Sequence, residues 1–145
     1  MHHHIKAGLA ILFCALLLSG HALAQDRKAS NPYILGEPGG IDGINCETTK
    51  SYMDNAVIEA GEDKSIIIIA RLGSGEGSSK VVRRRLYTLN GYLVETRGVS
   101  KERVITAEGE RVRGLGQVEV YVGGKLFIIF KMKRNGDFFN KCSDG

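Results

Sequence analysis

Hydrophobic positions change their spacing several times along the chain, and each change predicts an element. Residues 7–18 are apolar almost without interruption. At about 12 residues this run is too short for a membrane-spanning helix, which needs roughly 20. Residues 25–45 hold both prolines, Pro32 and Pro38, and Gly36, Gly39, Gly40 and Gly43. No periodicity survives there, so the segment reads as an extended flexible arm. From 47 to 60, Tyr52, Met53, Ala56, Val57 and Ala60 recur at helical spacing, and Gly61 is a natural stop. Four consecutive isoleucines at 66–69 predict a strand over 65–71 that is buried on both faces.

The second half follows the same grammar. Residues 72–79 (LGSGEGSS) form a glycine-rich loop, with Ser78 or Ser79 placed to cap a helix. Val82, Leu86, Leu89 and Leu93 make one apolar stripe on a helix over 79–97 that ends at Gly98. Strands are predicted over 103–108, 117–122 and 125–132, the last two joined by Gly123-Gly124, a pair suited to a primed turn. The order is α-β-α-β-β-β. The fold class is α+β, with one mixed four-stranded sheet and two helices packed mainly on one face. Because 66–69 and 126–130 are apolar on both sides, the other face either lies under the arm and the tail or meets another molecule.

The amino-terminal run changes the inventory. Lys6, the apolar stretch and then Ala22-Leu23-Ala24 make a secretory signal peptide over 1–24, cleaved after Ala24. The remaining parts are the arm at 25–45, a single domain at 46–142 and a tail at 143–145. Cleavage discards all four histidines and Cys14, leaving 121 residues with 19 basic and 16 acidic side chains, a net +3. That charge is no nucleic-acid footprint. The destination is the periplasm or the exterior, with no integral membrane span once the signal is gone. Two cysteines remain, Cys46 and Cys142, and an exported chain pairs them by default. The crosslink would close a loop of about 96 residues, worth up to roughly 4–5 kcal/mol on the chain-entropy account.

Candidate chemistry is sparse. Without histidine, a histidine triad and a His/Cys metal site are both excluded from the mature chain. No acid-dense loop has calcium-binding spacing, and no cofactor is expected. Glu108-Gly109-Glu110 is followed by Arg111 and Arg113, which keep both carboxylates ionised and argue against acid–base catalysis. In the run Arg83-Arg84-Arg85, Arg83 and Arg84 belong to a solvated helix face. Arg85 shares a flank with Val81 and Tyr92 at the core boundary, where a guanidinium fork can hold a carboxylate. The loop Gly73-Ser74-Gly75-Glu76-Gly77 lacks the ending of a phosphate loop, and Glu76 would repel phosphate.

Residues 47–122 together resemble the OmpA-like domain, a peptidoglycan-associating module of bacterial envelopes. The matching stretches are Ile66 to Ala70, then Arg85-Leu86-Tyr87-Thr88-Leu89-Asn90-Gly91-Tyr92-Leu93, Gly98, Arg103-Val104-Ile105-Thr106-Ala107-Glu108-Gly109 and Val118-Glu119-Val120. The resemblance implies that the helix arginine, here Arg85, grips the diaminopimelate of a peptide stem. The family's loop aspartate falls at Leu72 or Gly73, so Glu76 is the nearest acid. The expected ligand-binding residues are Arg85, Glu76, Tyr92 and Glu108. The expected function is a non-enzymatic envelope or secreted domain holding peptidoglycan or another cell-wall ligand. The alternative is an interaction protein whose apolar sheet face pairs with an envelope protein or with itself as a homo-oligomer.

Overall fold

The computed structural model describes residues 31–35, 44–133 and 138. Residues 1–24, read as a signal peptide, residues 25–30 and 36–43 of the stretch read as an arm, Cys142 and residues 143–145 lie outside the described residues. The elements run β1 (Tyr33–Leu35), α1 (Cys46–Ala60), β2 (Ile66–Arg71), α2 (Ser79–Gly91), β3 (Val104–Glu108), β4 (Gln117–Val122) and β5 (Lys125–Lys131). A π-helical turn, Tyr92–Thr96, continues α2, and a short 3-10 turn, Lys101–Arg103, precedes β3.

The architecture is α+β, two helices and one mixed sheet, but the sheet has five strands in the order β1-β5-β4-β2-β3. This corrects the expected four-stranded sheet and its element order. The extra strand is Tyr33-Ile34-Leu35, inside the stretch read as an arm. It pairs parallel with β5, Tyr33 opposite Ile128 and Leu35 opposite Phe130. Three residues show no periodicity, and a parallel partner almost a hundred positions away leaves no local turn to betray it. Ring contacts fix it in place: Tyr33 lies 5.3 Å from Tyr52 of α1 and 5.8 Å from Phe127 of β5, between ring centroids.

Local signals account for the other elements. Asn45 caps α1, its Oδ1 accepting the Thr48 N–H at 2.8 Å, and Gly61 turns the chain out of the helix at φ 54°. Gly123 and Gly124 adopt φ 56° and 78°, as a primed turn requires, and join β4 to β5 antiparallel. The link from β2 through α2 returns the chain parallel to β2 as β3, while β4 runs antiparallel on the other side of β2.

The pleat sorts the isoleucines. Ile66, Ile68 and Ala70 are wholly buried, in one cluster with Met53, Ala56 and Ala60 of α1, Val82 and Leu89 of α2, and Leu93. Val118, Val120, Ile128 and Phe130 complete this core. Both helices therefore cover the same face of the sheet. Ile67 and Ile69, on the opposite face, are only half-buried. Strong burial on one side and moderate burial on the other is what the run of four isoleucines encodes.

The core position Leu89 is fully enclosed, whereas Tyr87 two residues away is 75% exposed. Leu89→Ala should lower unfolding free energy by about 2–5 kcal/mol in urea titration. Tyr87→Ala should change it by less than about 0.5 kcal/mol; equal losses would contradict this placement of α2.

Candidate functional site

The buried stripe of α2 contains a cation. Val82 and Leu89 face the core as expected, but Leu86 is only half-buried and Arg85 takes the central place with no exposed surface. A buried guanidinium must be paired and hydrogen-bonded. Its partner is Glu76, 4% exposed, from the loop before the helix. Arg85 Nη1 donates to Glu76 Oε2 at 3.0 Å, and Nη2 donates to Oε1 in a second, parallel contact. This is the two-pronged geometry in which arginine binds a carboxylate most strongly. Glu76 Oε2 also accepts the Gly73 N–H at 2.9 Å.

A second loop closes over the pair. Gly73 bridges in parallel to Val112, and the Ser74 N–H donates to Gly114 O at 3.0 Å. The Arg111 guanidinium reaches back to Gly73 O and Glu76 O, both at 2.7 Å. At Gly116 a Cβ would stand 2.1 Å from Glu76 Oε2 and 2.6 Å from Arg85 Nη1, so a side chain there would displace the ion pair. A hollow of about 160 Å³ lies alongside, lined by Gly75, Glu76, Gly114 and Leu115. It is smaller than the roughly 300–1,000 Å³ of ordinary small-molecule pockets.

The other expected site residues stand apart. Tyr92 lies seven residues along the helix path from Arg85, roughly 10 Å of rise. Its hydroxyl donates to Asp54 Oδ1 of α1 at 2.7 Å, and Arg97 Nε donates to the same oxygen at 2.5 Å. Burial, with the Asp54 hydrogen bond second, pushes the Tyr92 phenol up to about 12. This cluster clamps α1 to the end of α2. Glu108, at the end of β3, is exposed, and its carboxylate makes no ion pair or hydrogen bond among the described residues. The fold thus joins Arg85 to Glu76 and leaves Tyr92 and Glu108 outside the pair. Cys46 is buried in the first turn of α1.

A polar cluster that sequence reading missed occupies the sheet face turned away from the helices. Glu119 of β4, 7% exposed, accepts Arg71 Nε at 2.8 Å, Gln117 Nε2 at 2.6 Å and the Tyr121 hydroxyl at 2.9 Å. Lys131 Nζ donates to Gln117 Oε1 and extends the network to β5. Burial works to raise the Glu119 carboxyl, but the three donors outweigh it and hold the group below its ordinary value of 4.5. Glu119 is therefore ionised at neutral pH and has no proton to donate. The missed signal was the alternation Gln117, Glu119, Tyr121, a period of two that puts three polar groups on one face.

Among the described residues, no group of three or more His, Cys, Asp or Glu side chains is placed to hold a metal ion. No described helix is long and apolar enough to cross a membrane. No protein-family model matches the chain, and comparison with curated proteins and with solved structures likewise finds no match.

Arg85→Met alone leaves the Glu76 carboxylate buried without its cation, which should cost about 3–5 kcal/mol. Adding Glu76→Leu should recover most of that loss, as apolar replacement of a whole buried pair often does. Additive losses in the double variant, measured by denaturation, would contradict the pairing. At Glu119 the folded value is depressed, so its contribution to stability is complete above the ordinary value of 4.5 and disappears as pH falls through the lower folded value. The unfolding midpoint should drop below pH 4.5, and Glu119→Gln should flatten that acid limb; an unchanged limb would remove Glu119 as its source.

Proposed function

We propose that the chain is an exported, non-enzymatic binding domain that meets a protein partner of the cell envelope through the sheet face opposite its helices. One observation carries the reading: the arginine best suited to a ligand carboxylate is already closed onto Glu76, with no exposed surface. The surface left for binding is the other face. There Ile67, Ile69 and Ile129 are half-buried and Ile34 and Ile105 are each 48% exposed. They surround the Glu119 network, whose internal hydrogen bonds require no rearrangement to be covered. An apolar rim about a hydrogen-bonded polar centre is suited to burial against protein, since the Glu119 carboxylate is already paired with Arg71 and the Lys131 ammonium already donates to Gln117. Export itself is proposed from the pattern of residues 1–24, and pairing of Cys46 with Cys142 from the oxidising compartment it implies.

The test is photo-crosslinking in cells that export the chain. A benzoylphenylalanine in place of Ile129 should give a discrete crosslinked species, and one in place of Ile58, 77% exposed on α1, should not. Equal crosslinking from both positions, or none from Ile129, would overturn the sheet-face reading.

A second reading, a cell-wall ligand held near Arg85, is favoured by the hollow beside Glu76. A ligand carboxylate would reach the guanidinium by displacing Glu76 into solvent, and the hollow has room for one such small group. Retention on purified sacculi decides this. The paired Glu76→Leu, Arg85→Met chain should lose retention if the arginine is the grip; retention equal to wild type removes Arg85 from the site.

A further inference from the structure

The sheet has two outer strands, and they are protected very differently. β1 is three residues long and begins directly after Pro32, both devices that blunt an edge. β3 reads Val-Ile-Thr-Ala-Glu, with no proline and no cation. Ile105, Thr106, Ala107 and Glu108 are all exposed, so neither face of the strand is covered beyond Val104.

Hydrogen-bond parity says which backbone groups face outward. The Gly109 N–H donates to Ala70 O at 2.9 Å, and Ala70 is opposite Glu108 in the parallel register. Backbone groups alternate along a parallel ladder, so Ile105, Ala107 and Gly109 turn toward β2, and Val104, Thr106 and Glu108 turn away. The Val104 N–H is held by Lys101 O in the preceding turn. The backbone groups of Thr106 and Glu108 make no hydrogen bond among the described residues.

We propose that β3 is the seam of a homodimer, in which two copies pair antiparallel, edge to edge, about a twofold axis at Thr106. This register is self-complementary over the whole strand. Thr106 faces Thr106 of the second copy and exchanges two N–H···O bonds with it. Each Glu108 N–H meets the Val104 carbonyl across the axis, giving two more. Side by side, Glu108 lies opposite Val104 and Ile105 opposite Ala107, so within the strand no like charges face each other. The two Ile105 side chains, 48% exposed in the monomer, come within diagonal reach on the face opposite the helices. In-register parallel pairing would instead set one Glu108 carboxylate against the other. The antiparallel copy is therefore the occupant the edge fits, and the result is a continuous ten-stranded sheet. This inference does not depend on the sheet-face reading, because edge pairing leaves that face open.

Sedimentation equilibrium and amide hydrogen exchange on the exported chain test it together. Raising the protein concentration should shift the chain from monomer to dimer and slow exchange at Thr106 and Glu108. Ile105 and Ala107, bonded to β2 in either state, should stay protected throughout. Thr106→Pro removes the outward N–H at a position where the sheet's own ladder does not use it, and should weaken dimerisation by about 5- to 100-fold for the two donors lost. Thr106→Lys places two ammonium groups face to face at the axis and supplies the same readout should the proline chain fail to fold. A chain that stays monomeric up to its solubility limit would overturn the proposal. So would a dimer that survives both substitutions, or one whose concentration-dependent protection spares Thr106. Crosslinking from Ile129 that persists in the monomeric variant separates this outcome from the sheet-face reading.

Discussion

The pairing of Arg85 with Glu76 is the constraint around which one end of the molecule is built. A guanidinium without solvent access demands a carboxylate and a dry lid. The glycine loop after β2 supplies the carboxylate, and the segment between β3 and β4 supplies the lid, tied down by Arg111 and by the Gly73–Val112 bridge. Gly116 must lack a side chain because the ion pair occupies the space one would need. Two loops distant in sequence are thereby held at the ends of the parallel strands, so a position that could host ligand chemistry serves architecture in this conformation.

The two faces of the sheet divide the remaining work. On the helix side, burial of Ile66, Ile68, Val118, Val120, Ile128 and Phe130 supplies the hydrophobic driving force. On the other side, Glu119 orders Arg71, Gln117 and Tyr121 into a network that satisfies itself. Such a face is polar enough to tolerate water and apolar enough to be buried. That double character is what the proposed interaction role rests on, and Glu119 is no raised acid.

Much of the fold was legible in the sequence because its signals are local. The helical spacing of Met53, Ala56 and Ala60, the four isoleucines, and the Gly123-Gly124 turn each fix an element from a few neighbouring residues. What escaped depends on distant partners. β1 exists because β5 offers Tyr33 a parallel seat and Tyr52 a ring to touch, and neither is visible in three residues. The stripe on α2 was read through Leu86 because hydrophobicity alone cannot announce that a paired arginine will take the core position. The site was half legible for the same reason. Arg85 and Glu76 stand out by type and position, but that they meet each other is a tertiary fact, as is the convergence of Arg71 on Glu119 across β2 and β4.

The central claim, that Arg85 is sealed onto Glu76, is tested most directly by nitrogen-resolved NMR of the arginine side chains. Arg85 should show slowly exchanging guanidinium N–H signals with hindered rotation, distinct from those of the exposed Arg83. An Arg85 signal that exchanges as fast as that of Arg83 would contradict the account.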